Sequence, residues 1–150
     1  TSENKIKFTL GKIKLISKVI DGKFPDYKKV VPAKNEKSLV VSSKDFINSI
    51  ERMASVSLDR KEGVKLDITK ENIQLSVNSA NSGEGNEIIK ANFNSENSIN
   101  ISFNSQYLID IASEIEDKNL KMNLKDSVSP VLIEDASDKN SYYVIMPMKI

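Results

Sequence analysis

Apolar and polar positions alternate in short blocks along most of the chain, and twice the alternation gives way to a helical period. In "KIKFTLGKIKLISKVI" (5–20), Ile6, Phe8 and Leu10 form one apolar row and Ile13 and Leu15 another. Gly11-Lys12 between them suits a two-residue hairpin turn. "SLVVSSKDFINSIERMA" (38–54) predicts a short strand and then a helix with Ser43 as N-cap. Phe46, Ile47, Ile50, Met53 and Ala54 fall on its apolar face, and Lys44, Asn48, Glu51 and Arg52 on its polar face. Val64, Leu66 and Ile68, then Ile73, Leu75 and Val77, alternate as two more strands, and "EIIKANF" (87–93) is another. "SVNSANSGEGNE" (76–87), rich in Ser, Asn and Gly, reads as a mobile surface loop.

The pattern then starts again. "SINISFNSQYLIDIASEIE" (98–116) is a strand followed by a helix, with Asn104 as cap in place of Ser43 and Tyr107 in place of Phe46. Tyr107, Leu108, Ile111, Ala112 and Ile115 make the apolar face. Leu120, Met122 and Leu124, then Val131 and Ile133, alternate, and "SYYVIMPMKI" (141–150) closes the chain as a strand. The order strand-helix-strand-strand-strand thus occurs twice, at a spacing of roughly 60 residues. It predicts an α+β fold: a doubled β-α-β-β-β unit with two helices packed on antiparallel sheets.

Composition narrows the function. The 22 basic and 21 acidic side chains leave a net charge of +1, too little for an independent nucleic-acid binder. With no cysteine and no histidine, thiol and imidazole catalysis and the common zinc sites are excluded. No cofactor or metal is expected. Carboxylate or lysine chemistry remains open, but no pair of carboxylates has a motif context, so no enzyme is expected. Nine aromatics, mostly at core-patterned positions, argue against single-strand stacking. No apolar run reaches membrane-span length, and a cytoplasmic protein without membrane attachment is expected. The first residue is Thr1, which suits a processed or partial chain.

"DGKFPDYKKVVP" (21–32) is too apolar for a linker and too broken for a helix or strand. Phe24 and Tyr27 can pack a joint, while Pro25 and Pro32 stiffen it and Lys28 and Lys29 keep its rim wet. This segment, "LKDSVSPVLIEDA" (120–136) and the terminal "YYVIMPMKI" (142–150) together resemble the C-terminal third of the bacterial β sliding clamp, the processivity subunit of DNA polymerase III. The resemblance implies that residues 1–23 are the last hairpin of a middle domain and residues 24–150 the third domain. It implies a three-domain protomer whose homodimer encircles duplex DNA, while this chain alone is a monomer. It also implies a pocket for short linear motifs, of Gln-Leu-x-Leu-Phe type, from the polymerase catalytic subunit, the clamp loader and repair polymerases.

Carried over by position, that pocket comprises Pro25, Lys29 and Val30 from the joint, Asn104 and Tyr107 at the second helix, and Val128 and Pro130 from the following hairpin. Val144, Ile145, Met146, Pro147 and Met148 complete it. Read from the residues alone, Tyr107 is a core position and Met146 and Met148 are ordinary strand residues. Two departures from the family pattern stand out: Lys61 where some members have an aromatic, and Pro130 where a small polar residue is expected. Lys44, Asn48 and Arg52 are the candidate DNA-facing residues. The second helix instead offers Asp110, Glu114 and Asp117, which repel phosphates. The alternative is a stand-alone peptide-binding module of the same fold that forms no ring.

Overall fold

The computed structural model describes residues 4–23, 25–56, 63–79 and 83–149. The chain opens with a hairpin, β1 (Lys5–Leu10) and β2 (Ile13–Lys18). Its turn is Gly11-Lys12, with Gly11 at φ 57°, as a two-residue turn with glycine first requires. The register sets Phe8 opposite Leu15 and Leu10 opposite Ile13, so the two apolar rows share one face. That face is uncovered, with Leu10 80 % exposed, and the hairpin forms a sheet of its own.

A 3-10 turn, Tyr27–Lys29, leads into the main body. The elements then run β3 (Lys37–Ser42), α1 (Ser43–Val56), β4 (Gly63–Ile68), β5 (Asn72–Ser79) and β6 (Gly83–Phe93). The same five follow as β7 (Ile99–Asn104), α2 (Ser105–Ser113), β8 (Asn119–Leu124), β9 (Val131–Asp135) and β10 (Tyr142–Ile145). The predicted doubled β-α-β-β-β unit is therefore present. Eight strands form one antiparallel sheet in the order β10-β9-β8-β3-β6-β5-β4-β7. Each unit lends its first strand to the other: β3 pairs with β8, and β4 pairs with β7.

The inward rows are those the alternation predicts. Leu39, Val64, Leu66, Ile68, Ile73, Leu75, Leu120, Met122, Leu124, Val131 and Ile133 are fully buried. The helices pack on each other, and α1 crosses β5 and β6. Gly85 permits that crossing: a Cβ there would lie 3.0 Å from a Val56 methyl and 3.2 Å from Met53 Sδ. Beside it, Glu87 accepts from the Ser49 hydroxyl (2.9 Å) and from Arg52 Nε (3.0 Å), fastening α1 to β6. Asp135 does similar work at the other end. Buried at the end of β9, its carboxylate accepts from the Ser137 hydroxyl (2.7 Å) and the Glu116 amide (2.9 Å).

Four expectations are corrected. The cap of α1 is Ser42, whose hydroxyl accepts from the Asp45 amide (3.3 Å), while Ser43 donates to the Asp117 carbonyl (2.9 Å). Counting from Ser42 and Asn104 as equivalent caps, Phe46 corresponds to Leu108 and not to Tyr107. Phe46 and Leu108 are 0 % and 1 % exposed, whereas Tyr107 is 60 % exposed, off the core face. Residues 76–79 and 83–87 are not a loop but a paired ladder, with Ser76 opposite Asn86 and Ser79 opposite Gly83. The polar side chains have low strand propensity, yet the ladder and the helix above it prevail. The closing strand ends at Ile145, because Pro147 has no amide to donate. Phe24 and Lys61 lie outside the described residues.

The register of the two helices is testable by urea denaturation. Phe46→Ala is expected to cost about 3–5 kcal/mol by emptying a filled core position. Tyr107→Ala is expected to cost about 0.5 kcal/mol or less. Comparable losses at both positions would mean that Tyr107 is buried.

Candidate functional site

The doubled unit contains one asymmetry, and the site grows from it. In the first unit β6 runs on past β5 and zips onto β3, pairing Ala91 with Val41 and Phe93 with Leu39. The Asn94 amide then donates to Ser38 O at 3.0 Å. The corresponding strand of the second unit is β10, and its counterpart of β3 is β7. Here the chain leaves the ladder after Ile145. Among the described residues, the tail reaches β7 by a single backbone bond, Met148 N–H to Ser102 O at 2.7 Å. Gly63, opposite Asn104 on β4, makes room for this: Met148 Sδ lies 3.3 Å from where a Cβ would stand.

The unzipped seam leaves two concavities. The larger, about 750 Å³, is walled by Met146, Pro147 and Met148 on the tail and by Asn100, Ile101 and Ser102 on β7. Val128 and Ser127 close one side, and Lys65 and Lys149 also line it. The smaller, about 340 Å³, lies between α2 and β10, with Tyr107, Asp110 and Ile111 facing Val144, Ile145 and Met146. Met146, 59 % exposed, belongs to both. Around Met146, the exposed Tyr107, the Met148 thioether, Val128 and Val144 form an apolar surface with polar groups at its edge. Such a surface suits a peptide with hydrophobic anchors, and flexible methionines let it re-pack around different ones.

The loop that carries Val128 is held by one carboxylate. Asp126 accepts from the amides of Val128 (3.0 Å) and Ser129 (2.7 Å) and from the Ser129 hydroxyl (2.9 Å). These bonds, the Val128 amide first, hold its pKa below the ordinary aspartate value.

Of the twelve residues expected in a pocket, seven line these two concavities: Tyr107, Val128, Val144, Ile145, Met146, Pro147 and Met148. Asn104 is half-buried and caps α2, accepting from the amides of Gln106 (2.9 Å) and Tyr107 (3.3 Å). It thereby orients the turn that presents Tyr107. The Pro130 carbonyl accepts from Asn35 Nδ2 at 2.8 Å and anchors the start of β9. Pro25, Lys29 and Val30 are exposed on the joint and line neither concavity. Lys29 faces Asp26 at 3.8 Å. The β7 lining, Asn100 to Ser102, escapes a reading of the sequence by motif. The doubling itself contains the signal, since β3 pairs with β6 and β7 must then face the terminal strand.

The candidate DNA-facing residues differ among themselves. Lys44 is exposed and, with Asn48, lines a groove between the start of α1 and the residues after α2. Arg52 is tied to Glu87, whose pKa is lowered chiefly by that hydrogen bond.

Two helices on a curled antiparallel sheet built from a doubled β-α-β-β-β unit define a sliding-clamp domain. Residues 28–149 match the family described as DNA polymerase III beta subunit, C-terminal domain, and the chain belongs to that family. It is 34 % identical over 149 residues to the beta sliding clamp of Caulobacter vibrioides, covering 99 % of this chain and 40 % of that protein. It superposes on a crystal structure of the sliding clamp of Bartonella birtlesii bound to griselimycin with a TM-score of 0.91. That match has 38 % identity and covers 99 % of this chain and 40 % of that one. A crystal structure of the Caulobacter crescentus clamp gives a TM-score of 0.91 at 33 % identity, covering 100 % and 40 %. The chain thus spans about 40 % of the length of the relatives it matches.

The Asp126 bonds give a pH expectation. Its folded pKa is depressed, so its contribution is present above the ordinary aspartate pKa and is lost as pH falls through the folded value. The Val128 methyl signals in NMR should stay fixed from neutrality to about pH 4 and move below it. Movement between pH 7 and 5 would show that another group holds the loop.

Proposed function

We propose that the chain is the third-domain part of a processivity clamp and that it docks partner proteins of the replication machinery through the concavities beside its terminal tail. The observation that supports this most strongly is Tyr107, exposed beside the Met146–Met148 tail in a fold of this family. Residues 1–23 are then the last hairpin of a middle domain, and the bare Phe8–Leu15 face is the part that domain covers. The whole protein is a cytoplasmic homodimeric ring around duplex DNA. Its partners are the polymerase catalytic subunit, the clamp loader and repair polymerases, and it performs no catalysis of its own. Both concavities are lined by this chain alone, which also suits a stand-alone peptide-binding module. Native mass spectrometry of the full-length gene product separates the two readings, since a ring requires a dimer.

A fluorescently labelled Gln-Leu-x-Leu-Phe peptide should bind with a Kd no tighter than roughly tens of micromolar. Burying one or two side chains contributes about 1.5–3 kcal/mol each against the cost of lost motion. Griselimycin, which the Bartonella birtlesii clamp binds, is a second probe. Met146→Ala, or deletion of residues 148–150, should abolish peptide binding and leave far-UV circular dichroism unchanged. NMR shifts confined to α1, with the tail silent, would place the site elsewhere.

Duplex DNA should not bind this chain measurably at about 150 mM salt. The net charge is +1, Arg52 is engaged by Glu87, and α2 presents Asp110. Anisotropy with a labelled duplex checks this, and micromolar binding would contradict it.

A further inference from the structure

We propose that Met146 and Met148 form a reversible oxidation site: a peroxide converts their thioethers to sulfoxides, which loosens the tail from β7 and spoils the apolar surface around Met146. The chain has four methionines and no cysteine, so thioethers are its only sulfur nucleophiles. Met122 is 0 % and Met53 6 % exposed, both within the core, whereas Met146 is 59 % and Met148 37 % exposed. A dissolved oxidant therefore reaches the two tail sulfurs and not the two core ones. This selectivity rests on exposure alone, and its effect on docking rests on the function proposed above.

The reaction needs no group from the protein. A sulfur lone pair attacks one peroxide oxygen, and the S–O bond forms as the O–O bond breaks. The departing oxygen leaves as water after proton transfer through solvent. Sulfur loses two electrons and the peroxide gains them. A thiol-dependent methionine sulfoxide reductase reverses the change, returning the thioether, a disulfide and water. The consequence differs at the two positions. Met146 belongs to both concavities, so its sulfoxide places a polar acceptor at the centre of the apolar surface. An apolar anchor packed there strips that acceptor of water. Met148 sits over Gly63, its sulfur 3.3 Å from where a Cβ would stand, and the same point lies 3.5 Å from the Phe103 carbonyl oxygen. A sulfoxide oxygen brings a further acceptor to a seat beside one already there. Among the described residues, only the Met148 N–H to Ser102 O backbone bond then holds the tail to β7, against a poorer fit.

The test treats the full chain with hydrogen peroxide at neutral pH and maps the oxidised positions by mass spectrometry. Met146 and Met148 should oxidise faster than Met53 and Met122 by about tenfold or more while far-UV circular dichroism stays native. Hydrogen exchange at the Met148 amide should rise in the oxidised chain, and a thiol-dependent reductase should reverse the rise. In the double variant Met146→Leu, Met148→Leu, exchange at residue 148 should not respond to peroxide. Oxidation should weaken binding of the labelled Gln-Leu-x-Leu-Phe peptide by roughly tenfold. Oxidation spread evenly over the four methionines overturns the inference, as does an oxidised chain with unchanged tail exchange. An untreated chain that fails to bind the peptide overturns the docking function alone, and the oxidation map and the exchange at residue 148 still decide the inference.

Discussion

The missing amide of Pro147 sets the character of this domain. A doubled unit has two equivalent seams, and hydrogen-bonded strands would fill both unless something prevented it. The first seam is filled, with β6 zipped onto β3. The second is interrupted at a proline and held by the Met148–Ser102 bond. A fully paired seam would bring the tail flat against β7 and leave no concavity between them. A fully open one would leave Met146 and Met148 on a segment with no fixed path, and ordering it would cost conformational entropy. One backbone bond and the close seat over Gly63 keep the tail in place while its side chains remain available.

Most of the fold is legible in the sequence because burial here follows period. Residues at alternate positions of β4, β5, β8 and β9 are buried as the alternation requires, and the two helices follow where the period changes. The helix register is less legible. Ser42 and Ser43 are both capable caps, and choosing the second shifts the alignment of the two units by one residue. That single step puts Tyr107 in the place of Phe46, and so into the core, when Leu108 is the buried one. The ladder of residues 76–79 with 83–87 is missed for a different reason. Its residues are turn formers taken singly, and what orders them is non-local, namely the β5–β6 ladder and the α1 residues that pack on Gly85.

The candidate site is legible in its tail and its tyrosine but not in its opposite wall. Asn100, Ile101 and Ser102 read only as a strand, and nothing in their type marks a binding role. They join the site because topology brings β7 to face the chain end. The joint residues show the opposite limit: Pro25, Lys29 and Val30 stand out by motif, yet neither concavity includes them. A motif identifies residues that recur together, whereas a concavity requires residues that approach one another.

Electrostatics separates the two faces of the domain in a way that net charge conceals. On the helical side, Arg52 is paired with Glu87, while Lys44 and Asp110, the latter hydrogen-bonded by neutral Gln106, stay exposed with their charges. A face that carries both signs neither grips a polyanion nor strongly repels it. At the tail, Lys149 is unspent among the described residues and Lys65 is only loosely paired. A net charge of +1, the difference of 22 basic and 21 acidic side chains, says nothing of how the charges are placed on either face.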